Sequence, residues 1–114
     1  GDKIAIDPLY AYRFKELIDA LEVSTTYNQK QLRHNCGTPA CIAGHAQWLF
    51  KIERSNGEWY DIKKCLGMNY TEFSRMIMAH PFGPVSPTTK EAIDMLKRYV
   101  RTGRVEWKRL SATT

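Results

Sequence analysis

The stretch from Ala40 to Phe50 is apolar on every side of a helical turn, and this constrains the chain more than any other feature. A helix with one apolar stripe can lie on a surface, whereas one that is apolar all round must be enclosed by protein. Thr38 and Pro39 read as its N-cap and first helical residue, because proline's missing N–H falls where no helical partner exists anyway. The predicted helix runs from Pro39 to about Lys51, and Ala40, Ala43, Gly44 and Ala46 are small enough to let neighbours approach closely. Gly44 lowers helix propensity by about 1 kcal/mol relative to alanine, so a packing or site role is expected there.

Around this rod the local signals specify further helices. Asp7-Pro8 caps and starts one in which Tyr10, Phe14, Leu17, Ile18 and Leu21 recur at helical spacing up to about Glu22. Residues 23–33 lose the period and read as an extended connection, with room for one short strand pair around Thr25 to Tyr27. After the break at Ser55-Asn56-Gly57, Trp59, Ile62 and Leu66 predict a short helix that Gly67 ends in the left-handed conformation. Asn69 with Glu72 resembles a capping box opening the next helix, whose inner face is Tyr70, Phe73 and Ile77. A proline-rich loop from His80 to Pro87 follows, and Thr88 with Glu91 forms a second capping box. The last helix turns Ala92, Ile93, Leu96, Tyr99 and Val100 inward and stops at Gly103. Val105 and Trp107 are placed to fold back onto the body. The expected fold is mainly α: one compact domain over residues 1–114, with about five helices around a buried central one and fraying at 1–6 and 111–114.

Composition narrows the class of partner. A chain of 114 residues that is 43% hydrophobic and 25% charged can bury one core without staples. No apolar run reaches the roughly 20 residues of a membrane span. The first residues carry neither a basic start nor an apolar signal core, so the expected location is cytoplasmic. Three cysteines do not pair evenly, which fits reduced thiols. The net charge of +5 is concentrated near the C-terminus, where residues 90–109 hold seven basic side chains against three acidic ones. Lys97, Arg101 and Arg104, with Lys90, fall on one side of the last helix. That surface could track phosphates, with Trp107 available for stacking and His80 and Phe82 offered by the stiff loop. The competing reading is a solvated face whose cations suit a helix C-terminus.

Three other constellations bear on chemistry. With Thr38 as cap, Cys41 is the third helical residue, where free N–H groups would stabilise a thiolate, and His45 lies on the same face as a base. Against that nucleophile pair stands a buried cysteine acting as a small hydrophobe. His34, Cys36, Cys41 and His45 are ligands of the types zinc takes, although their spacing is not that of a standard finger. A Cys36–Cys41 disulfide would require the loop to curl back. Finally, Asp61 to Ile77 has the outline of a helix–turn–helix, with Arg75 as its one strong phosphate or base contact.

The segment Cys36-Gly37-Thr38-Pro39-Ala40-Cys41-Ile42-Ala43-Gly44 resembles the C-G-T-x-x-C-x-A-G signature of a family of small bacteriophage and bacterial proteins. Cys65-Leu66-Gly67-Met68 and Thr89-Lys90-Glu91-Ala92-Ile93 resemble that family's leucine–glycine turn and last helix. The resemblance implies a small accessory protein and brings no activity with it. The expectation that follows is binding of a host or phage macromolecule, protein or nucleic acid, rather than catalysis. A cysteine-dependent enzyme and a zinc-stabilised domain are the alternatives.

Overall fold

A computed structural model describes residues 4–31 and 40–110. Among the described residues five helices are formed: α1 (Pro8–Glu22), α2 (Ile42–Leu49), α3 (Glu58–Leu66), α4 (Tyr70–Ile77) and α5 (Thr89–Thr102). The described residues contain no strand. The segment before α2 holds two backbone hydrogen bonds in place of the expected strand pair: Asn28 N–H to the Ala40 carbonyl at 2.9 Å and Cys41 N–H to the Gln31 carbonyl at 3.0 Å.

The local signals set the ends of four helices. Asp7 accepts from the Leu9 amide at 2.8 Å with Pro8 as the first helical residue. Gly67 closes α3 at φ 64° and Gly103 closes α5 at φ 73°, a region where a β-carbon is costly. Thr88 and Glu91 form a complete, reciprocal capping box. At α4 the box is half made: Asn69 accepts the Glu72 amide at 2.8 Å, but the Glu72 side chain reaches elsewhere.

The central helix differs most from expectation. It starts at Ile42 with Cys41 as its cap, and Thr38 and Pro39 lie outside the described residues. The bonds from Asn28 and to Gln31 tie Ala40 and Cys41 to the connection and Cys41 is extended, so the first turn begins after it. It ends at Leu49, short of Lys51, which is left-handed at φ 56°. There Ile52 donates to the Gln47 carbonyl at 3.0 Å, the bond that closes a Schellman turn. Enclosure is complete from Ile42 through Gln47 and ends at Trp48, which is 67% exposed.

Packing follows from these faces. α2 lies against α1, α3 and α4, while α5 packs mainly on α1. Phe14, Leu17 and Leu21 from α1 meet Ile42, Ile62, Leu66, Met76, Met95 and Leu96 in one fully buried core. On α4 the inner residues are Phe73 and Met76; Tyr70 points outward and is 77% exposed. On α5 Met95 joins Ala92, Leu96 and Tyr99, and Ile93 and Val100 are half-buried. No helix among the described residues is long and apolar enough to cross a membrane.

Candidate functional site

The head of α2 is built as a closed joint. Cys41 Sγ accepts the Gly44 amide at 3.4 Å, the task a serine or aspartate performs at most helix starts. As the cap, Cys41 keeps its sulfur against the free amides of the first turn, which favour a thiolate, while burial disfavours it. Burial pushes the Cys41 thiol up, and the amides of Gly44 and Ala43 only partly offset it. His45, itself buried, sets Nδ1 2.9 Å from the Cys41 carbonyl oxygen and Nε2 2.7 Å from the Ser24 hydroxyl. A carbonyl can only accept, so Nδ1 carries the proton and, in the neutral ring, Nε2 accepts from Ser24. The imidazole therefore ties the connection after α1 to the start of α2. Cys41 and Cys65 are the free thiols among the described residues; Cys36, the other half of the bridge considered for Cys41, lies outside them. His34 and Cys36, the other two ligands of the zinc alternative, lie outside the described residues; among the described residues no group of three or more histidine, cysteine or acidic side chains is placed to hold a metal.

The helix–turn–helix outline survives as a turn between α3 and α4, but its reading residue is engaged. Arg75 pairs with Glu72 at 3.0 Å, and the Arg75 carbonyl accepts the Trp107 indole N–H at 2.9 Å. The C-terminal segment thus lies against α4.

The six residues expected to bind a partner fall into two groups. Lys97 and Arg101 are exposed on α5. Arg104, Trp107 and Phe82 are drawn into internal contacts: Arg104 lies 3.5 Å from Glu72, and Trp107 meets Phe82 edge-on with ring centroids 6.2 Å apart. Arg109 stands 4.9 Å over the same Phe82 ring and 3.5 Å from Glu91. His80 is exposed at the start of the turn that Gly83 closes onto it.

Lys97 and Arg101 stand on the rim of a groove of about 820 Å³ between α1 and α5. Ile4, Ala11, Ile18 and Val100 give it apolar surface; Lys15 adds a third cation, and Asp19, Glu22 and Asp94 add three carboxylates. Lys97 reaches Glu22 across the groove at 3.9 Å, and Asp94 pairs with Arg98. Ile4 and Tyr12, both in its lining, are at least half exposed.

Sequence reading found the α5 side of this groove and missed the α1 side, because Lys15 and Asp19 look like an ordinary solvated face. It also missed Glu72 and Glu91 as buried anchors, since both were accounted for as caps. Gln29 was missed as well: it is buried, donates to the Met76 and Met78 carbonyls at 2.8 and 3.2 Å, and accepts from Tyr27. Its signal, one glutamine in a polar connection, is indistinguishable from a surface residue. Compared with known proteins, the chain matches no family model, no curated protein and no solved structure.

Proposed function

We propose that this protein acts by binding a macromolecular partner, and that a protein segment seats in the α1–α5 groove with Lys97 and Arg101 at its rim. On this reading it is an accessory protein of the phage type that the Cys36–Gly44 motif resembles, and its partner is a host or phage protein. The observation that carries the reading is the mixed character of the groove: apolar surface with three cations and three carboxylates around it. A phosphate backbone brought to Lys97 and Arg101 would meet Asp19, Glu22 and Asp94 at close range, and like charges there cost binding energy. A polypeptide, which carries both signs and apolar side chains, suits the same surface.

Two measurements on the full chain test this. Capture from nuclease-treated host lysate should retain protein partners and lose them with Lys97→Glu and Arg101→Glu together. Fluorescence anisotropy with random-sequence DNA and RNA should show only weak association. Tight nucleic-acid binding that falls steeply with salt, with no protein retained after nuclease, overturns the reading.

A further inference from the structure

Residues 104–110 have no regular secondary structure, so their backbone N–H groups need acceptors from elsewhere. Two buried carboxylates provide them. Val105 donates to Glu72 Oε2 at 2.7 Å, and Leu110 donates to Glu91 Oε2 at 2.8 Å. The two attachments are unequal. Val105 is 3% exposed and belongs to the core. Beyond it Glu106 and Lys108 face solvent, and Leu110 is 40% exposed. The outer part is held by the Trp107 indole on the Arg75 carbonyl, by the Phe82 ring against Trp107 and Arg109, and by Glu91.

We propose that residues 106–110 form a latch that opens while Val105 stays anchored, uncovering Phe82 and releasing Trp107, Lys108 and Arg109 as one basic, aromatic segment. The argument lies in what each opening leaves behind. Lifting Val105 empties a core position and takes the amide from Glu72. Lifting residues 106–110 takes the Leu110 amide and Arg109 from Glu91 Oε2 and leaves the Thr88 amide on its other oxygen at 2.8 Å. Each opening leaves one carboxylate oxygen without its amide, but only the inner one also empties a core position, so the outer opening has the lower free energy. In the closed state the latch is self-masking: Trp107 and Arg109 are occupied by groups of their own chain. This proposal does not depend on the groove or on the nature of its partner.

Amide and indole hydrogen exchange of the full chain, read by NMR and corrected for intrinsic rates, tests it. The Leu110 amide and the Trp107 indole should exchange at least about tenfold faster than the Val105 amide. Glu91→Gln keeps an oxygen for Thr88 but turns an amide toward Leu110, and should speed those two sites by about tenfold while leaving Val105 unchanged. Arg109→Gln, a surface change, should act in the same direction more weakly. Equal protection at Leu110, Trp107 and Val105, or variants that shift all three together, would overturn the latch and make the segment an integral part of the core.

Discussion

The basic C-terminus divides into two regions that treat their charges oppositely. On α5 the backbone is satisfied within the helix, so Lys97 and Arg101 extend toward solvent, where Lys97 meets the half-exposed Glu22. In residues 104–110 the backbone has no such ladder. Its amides must find acceptors, and the carboxylates of Glu72 and Glu91 that meet them also draw in Arg104 and Arg109. Neighbouring cations in one sequence block therefore differ in the carboxylate they meet, exposed Glu22 for Lys97 and buried Glu72 and Glu91 for Arg104 and Arg109, because the main chain beneath them differs in its hydrogen bonding.

Removing Glu91 should expose this difference most strongly. Glu91→Ala loses the capping box and the Leu110 acceptor together, and should lower the unfolding free energy in urea by about 3 kcal/mol. Val105→Ala, which leaves a cavity where the segment enters the core, should cost about 2 kcal/mol in the same titration.

Acid provides a test without mutation. Burial works against the ionised Glu91, but the Thr88 and Leu110 amides and Arg109 outweigh it, so its folded pKa lies below the ordinary 4.5. A depressed carboxylate contributes stability that is present above its unfolded pKa and is lost as pH falls through the folded value. The unfolding free energy should accordingly decline as pH drops below about 4.5, and Glu91→Gln should flatten that decline. Arg104→Ala with Arg109→Ala should cost about 1 kcal/mol, since both guanidiniums are half exposed and partly screened. Lys97→Ala with Arg101→Ala should change stability by less than about 0.5 kcal/mol while weakening partner capture. A cost for this last pair equal to that of Glu91→Ala would erase the distinction between the two regions.

The same contrast explains which parts of the molecule were readable in advance. The all-helical class, the turn at Gly67 and the end at Gly103 follow from residues within a few positions of each feature. Tyr70 was misplaced because apolar spacing cannot say which neighbour covers a face, and here Met76 takes the inner position instead. The helix start expected at Pro39 moved to Ile42 because two backbone bonds tie Ala40 and Cys41 to Asn28 and Gln31, and Cys41 is extended. His45, expected as a base beside the Cys41 thiol, hydrogen-bonds the Cys41 carbonyl and Ser24 at the same junction.

What the amino-acid order determined alone is the set of helix boundaries at Asp7-Pro8, Gly67, Thr88 with Glu91, and Gly103, where a side chain or a glycine satisfies the backbone beside it. Only the tertiary structure decided that Glu72 would leave its own helix start for Val105, that Glu91 would serve Leu110 as well as Thr88, and that Lys97 would reach across to Glu22. Those partners are 33, 19 and 75 positions away in sequence, and a carboxylate carries no local mark of which distant amide or cation folding will bring to it.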